Sequence, residues 1–227
     1  MKRVSRQLGA SLLLLALCGC VERSLSSADI AGIHAIAIKQ TYNPTEYGLF
    51  VGNVGAAIAM GAAVGPGATA AMIQQSTTEP GQQSTFTELL QAQDLRLGDE
   101  LDAGVEAKLR EAGYTMVSWG DPRANAILSF YIDQSTYERR VWGAIGPHLV
   151  IRAILNDVSG KKIFERIYRY DMEQLNIGLA AVLTPDNKYG FDEPADVLAH
   201  PDIAAAGLRA VIPLIAENLS RALQKQR

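Results

Sequence analysis

The chain has 227 residues, 48% of them apolar, enough for one domain of ordinary size with a sizeable core. Its 24 Asp and Glu against 21 Lys and Arg argue against a nucleic-acid binder, which normally carries a basic patch. Both cysteines, Cys18 and Cys20, lie near the N-terminus, which leaves the rest of the chain without a disulfide or a thiolate metal site.

Lys2, Arg3 and Arg6 give a positive start, and the apolar run from Leu8 to Cys18 is too short to span a bilayer comfortably. This is the layout of a cleaved secretory signal. Its end, Leu17-Cys18-Gly19-Cys20, resembles the lipobox of bacterial lipoproteins. The resemblance implies a signal over 1–19, lipidation of Cys20, and removal of three of the cationic residues, leaving a mature net charge of about −6. Cys18 is the rival, but it would put bulky Leu17 directly before the cut. Several acyl chains hold a protein firmly where one holds it marginally. With Val21 rather than Asp after the lipidated residue, the resemblance implies, for a Gram-negative cell, the periplasmic leaflet of the outer membrane.

Residues 20–32 read as a polar tether, and 33–227 as a single α+β domain. Alternating apolar residues predict a first strand over 33–38. A long insert at 41–93 follows. Leu97, Leu101, Val105, Leu109 and Ala112 give one apolar helical face, with Asp94 as N-cap and Gly113 as the left-handed residue past the end. Short strand 114–117 leads to a third strand over 126–137, with Leu128, Phe130 and Ile132 on one face and Ser129, Tyr131 and Asp133 on the other. Strands 149–155 and 163–170 flank a turn in which Gly160 supplies positive φ. Residues 171–201 read as irregular, and 203–223 as an amphipathic helix that Pro213 should kink or split. The predicted class is α+β: a mainly antiparallel sheet with two helices on one face, plus a Gly/Ala-rich helical or hairpin insert.

The phrases LREAGYTMVS, DPRANAILSFYI and IRAILNDVSGKKIFERIY resemble, as architectural signatures, several envelope lipoprotein classes. These are the lipopolysaccharide-assembly, curli-pore and penicillin-binding-protein-activator lipoproteins. No catalytic motif comes with that resemblance.

No charge occurs between Glu46 and Glu79. Inside this stretch Gly55, Ala59 and Ala63 form one row of small residues at four-residue spacing, and Ala57, Gly61 and Gly65 another. On a helix such rows permit close approach in lipid, and the segment resembles the glycine-zipper segments of envelope lipoproteins. Three readings stand: a membrane or oligomer contact, a helix buried against the sheet, or a Gly/Ala loop. Gly65-Pro66-Gly67 is a turn signal within it.

Chemistry-bearing patterns are sparse. No G-x-S-x-G or H-E-x-x-H run occurs, and His34, His148 and His200 read as surface or core histidines rather than ligands. The acidic stretch 186–196 lacks the calcium-loop pattern, and the glycines do not match a phosphate loop. No catalytic residue, cofactor or metal is therefore expected. Between the third and fourth strands, Arg139, Arg140, Trp142 and Ile145 read as a partner contact, against the alternative that Trp142 caps the sheet edge. The expectation is a lipid-anchored, non-enzymatic binding or assembly module with a membrane anchor, an envelope protein partner or self-association, and no nucleic acid. The alternatives are a subunit of an oligomeric outer-membrane secretion pore and, more remotely, an enzyme acting on envelope glycan.

Overall fold

The computed structural model describes residues 32–50, 80–139, 143–171 and 180–224. The export signal with Cys20, the small-residue rows of Gly55, Ala57, Ala59, Gly61, Ala63 and Gly65, and Arg140 and Trp142 lie outside the described residues.

In chain order the elements are β1 (Ala35–Lys39), β2 (Gly48–Phe50), α1 (Pro80–Ala92), α2 (Leu97–Glu111), β3 (Thr115–Val117), β4 (Ala126–Arg139), β5 (Ile145–Asp157), β6 (Lys162–Tyr170), β7 (Ala181–Leu183), α3 (Pro194–Ala199), α4 (Pro201–Arg209) and α5 (Val211–Gln224). The fold is α+β. One sheet holds the seven strands in the order β3-β1-β4-β5-β6-β7, with β2 also paired to β4. The long β4–β5–β6 meander is antiparallel, as expected. The sheet as a whole is mixed, because β1 pairs in parallel with both β3 and β4, β2 with β4, and β7 with β6. Parallel neighbours need a crossover, and α1 and α2 supply it between β1 and β3.

One face of the meander carries the core. Leu128, Phe130, Leu149, Ile151, Ala153, Leu155 and Phe164 are buried there under the helices. Tyr137 shares that face, since its hydroxyl donates to the Ala204 carbonyl of α4 at 3.2 Å. So does Arg166, which donates to Asn218 of α5. Strict alternation along β4 would send Tyr137 to the other side. The register with β5 slips by one residue between Ile132 and Gln134, and this bulge reverses the phase.

Among the described residues five helices stand where two were expected on the sheet. α1 escapes the periodicity because Phe86 and Leu90 are its fully buried apolar residues. The 171–201 stretch holds β7, a 3-10 turn at Asn187–Tyr189 and α3. The C-terminal helix is split, as Pro213 required, but the break falls earlier, at Ala210. Pro213 has no N–H for the Arg209 carbonyl four residues back, and its ring crowds that carbonyl, so the first helix ends at Arg209. Both halves are apolar because they face the core: Leu208 in α4 and Ile215, Leu219 and Leu223 in α5 are fully buried.

Asp94 is not the N-cap of α2. It follows α1 with φ 50°, its N–H donating to Gln91 O (2.9 Å) while Leu95 N–H reaches Leu90 O (3.4 Å). This is the two-bond helix end with a left-handed residue, closed by the buried pair Leu90 and Leu95. Gly113 ends α2 in the same way with φ 86°, its N–H on Arg110 O and Tyr114 N–H on Leu109 O. One helix uses Gly where the other uses Asp. An Asp94→Gly variant should therefore gain roughly 0.5–1 kcal/mol of stability, because the Asp94–Arg96 ion pair it gives up is exposed. Urea unfolding of the two proteins checks this, and a loss of stability would contradict it.

Candidate functional site

β1 and β2 both pair with the same edge of β4, β1 as far as Ser129 and β2 from Thr136 onward. Between them the β4 edge from 130 to 135 meets no strand among the described residues. The chain from Gln40 to Tyr47 crosses this gap by stepping out toward the helices. Thr41 donates through its N–H and its hydroxyl to Asp102 of α2, at 2.8 and 2.6 Å. Burial raises the Asp102 carboxyl above its ordinary value, against the pull of these two bonds. Asn43 Oδ1 accepts from the N–H groups of Gly98 and Asp99 at 2.7 and 3.3 Å, capping α2 from a distant loop. Gly98 allows that approach, since a Cβ there would lie 2.7 Å from the Thr41 carbonyl oxygen.

What remains between the loop and β4 is a cleft of about 330 Å³. Lys39, Tyr42 and Pro44 line one wall, and Tyr131, Ile132 and Asp133 the other. Tyr42 is 84% and Tyr131 45% exposed. Arg152, opposite Tyr131 in the register, sits with its guanidinium carbon 5.1 Å from that ring and donates to Asp133 at 3.0 Å. The cleft thus joins a strand edge that β1 and β2 leave uncovered, two aromatic rings and charges of both signs.

A second cluster lies on the sheet face away from the helices. Because of the bulge, Gln134, Thr136 and Glu138 of β4 face that way, around His148 of β5. Asp171, just past β6, points to the same place. His148 Nδ1 lies 3.1 Å from Asp171 Oδ2 and 3.3 Å from Glu138 Oε1. Its Nε2 lies 3.2 Å from Gln134 Oε1. Arg169 donates to the same Asp171 oxygen through Nε (3.1 Å) and Nη2 (2.9 Å), and Asp171 N–H is held by the Leu183 carbonyl of β7. His148 is 5% and Asp171 1% exposed. The three ligand-type atoms lie within 4.8 Å of one another, so this is where a metal ion could be held.

The partner-contact residues expected from sequence fare differently. Ile145 does not stand at a loop tip: it begins β5, is fully buried and exchanges both backbone hydrogen bonds with Phe191. Its apolar character serves the core rather than an exposed contact. Arg139 is in β4, and its Nη2 donates to the Asp192 carbonyl at 2.9 Å. The sequence gives no sign of the His148 cluster, because its carboxylate partners stand ten and 23 residues away, on β4 and just past β6, rather than at a helical spacing. His34 faces Asn125: its Nδ1 lies 2.9 Å from Asn125 Nδ2 and 3.0 Å from the Gly32 carbonyl oxygen.

No family model and no curated protein matches the chain. Among solved structures, an uncharacterized protein aligns over 88% of this chain and 94% of its own at 13% identity, with a TM-score of 0.38. Protein XCC0632 from Xanthomonas campestris, of family DUF330, aligns over 56% of this chain and 63% of its own at 12% identity and a TM-score of 0.34. Neither likeness carries an argument about activity.

The wall that holds the cleft open rests on Asn43. Replacing it with Ala should cost about 1 kcal/mol, as for other lost N-caps, read as a lower denaturation midpoint at unchanged slope. An unchanged midpoint would mean that the α2 end is satisfied without it.

Proposed function

We propose that the chain is a lipid-anchored envelope protein that acts as a non-enzymatic binding module, taking an extended segment of a partner protein into the cleft beside β4. The observation that carries the reading is the six-residue stretch of strand edge, 130–135, that neither β1 nor β2 covers. A row of unpaired backbone donors and acceptors is complementary to another polypeptide in extended conformation, and adding a strand satisfies both. The Tyr42 and Tyr131 rings supply the apolar contact such a segment needs for affinity, and Lys39, Asp133 and Arg152 supply polar register. The lipobox-like run ending at Cys20 supports anchoring, and the polar residues after it support a short tether between bilayer and domain.

A photoreactive residue in place of Tyr42, in the full chain and in intact envelopes, should crosslink a partner. The complex should show slowed amide exchange across 130–135. Tyr131→Ala should reduce capture about tenfold, a loss of roughly 1.4 kcal/mol, while the same probe at Val158, on the exposed hairpin tip, should capture nothing. Equal capture at both positions, or unprotected 130–135 amides in the complex, would defeat the cleft. In the same cells Cys20→Ser should move the chain out of the membrane fraction; unchanged fractionation and no labelled palmitate in the parent would defeat the anchor.

A further inference from the structure

We infer that Glu138, His148 and Asp171 form a site for one divalent transition-metal cation of the zinc type. Glu138 lies in β4, His148 in β5 and Asp171 just past the end of β6, and the last two are each fixed by something other than the cation. Asp171 is tied through its N–H to Leu183 and through its Oδ2 to Arg169. The His148 backbone is held in the β4–β5 ladder, and its carbonyl accepts from the Thr136 hydroxyl at 3.4 Å. Its Nε2 faces Gln134 Oε1, so the hydrogen on that nitrogen has an acceptor and the lone pair of the neutral ring falls on Nδ1. Nδ1 is the atom that faces both carboxylates. This is the arrangement in which an outer partner sets the tautomer of a ligating histidine.

Both edges at the histidine fit. A tetrahedral cation with bonds of about 2.0–2.1 Å has ligand–ligand edges near 3.4 Å; the Nδ1–Oδ2 and Nδ1–Oε1 separations are 3.1 and 3.3 Å, and the two carboxylate oxygens lie within 4.8 Å of each other. One imidazole nitrogen and two carboxylate oxygens make a compact mixed donor set. Calcium takes six to eight oxygens, and magnesium demands an octahedron of oxygen and water. Imidazole donors select the later transition metals. Glu138 is the most exposed member of the three and marks the side from which a cation enters.

The test is titration of the purified full chain with Zn²⁺, and separately with Co²⁺, whose visible absorption reports tetrahedral nitrogen–oxygen coordination. The expected result is one ion per chain, with binding weakened at least tenfold in Glu138→Gln and in His148→Gln, and about tenfold in Gln134→Leu through the loss of the tautomer-setting partner. His34→Gln should leave the affinity unchanged and controls for adventitious binding at an exposed histidine. Should His148→Gln fail to fold, the part-exposed Glu138→Gln and Gln134→Leu variants decide. Absence of stoichiometric binding, or affinity unaltered in Glu138→Gln and Gln134→Leu, overturns the site. None of these readouts depends on the cleft or on a protein partner, so the two proposals fail separately.

Discussion

A single extra residue in β4 sets the layout of this domain. Side chains on a strand alternate with a period of two, so an insertion of one exchanges every later residue between the two faces. Up to Ile132 the even-numbered residues of β4 face the helices; past the slip it is the odd-numbered ones, with Tyr137 hydrogen bonded to α4. Without the slip, Gln134, Thr136 and Glu138 would be driven into the apolar core, where a carboxylate is costly to bury. Tyr137, now fully buried between Phe86 and Phe191, would be expelled from it. The same irregularity lies on the stretch of edge that borders the cleft, so both candidate sites originate at one point in the backbone.

The packing of the helical layer is the counterpart of that constraint. Tyr137 reaches α4 over Gly207, where an added Cβ would fall 2.2 Å from the phenol oxygen. Arg209, at the end of α4, donates to both Glu100 oxygens and to the carbonyls of Gln93 and Asp94, tying that helix to the turn between α1 and α2. Gly104 brings α2 within reach of Ile212 on α5, a contact a Cβ would push to 2.6 Å. Glycine in a helix interior costs roughly 1 kcal/mol relative to Ala. Here a close crossing accounts for it.

How much of this could be read from the residues depended on how local each signal was. The α2 stripe, the Gly113 helix end and the Gly160 turn rest on neighbours within a few positions, and the structure has all three. The disruption by Pro213 was legible too, though not that it acts on the carbonyl four residues back. Asp94 is ambiguous because its short polar side chain suits an N-cap and also tolerates the left-handed region, and only the Leu95-to-Leu90 bond tells which end it serves. β2 and β7 have three residues each, too few for a period to show. The His148 cluster and the cleft depend on strand register and on the bulge, and no pattern within one segment encodes either.

The sheet also imposes an order on its own assembly. β1, the first strand in the chain, lies between β3 and β4, and its partner residues stand about 80 to 90 positions further on. Closing so long a loop carries an entropic cost that the neighbouring hairpins β4–β5 and β5–β6 do not face. The meander is thus the natural nucleus: β1 adds to its β4 edge, and β3, whose partner in the sheet is β1, can pair only after that. The first strand that the chain supplies is in this way the one whose docking waits for the distal part of the polypeptide.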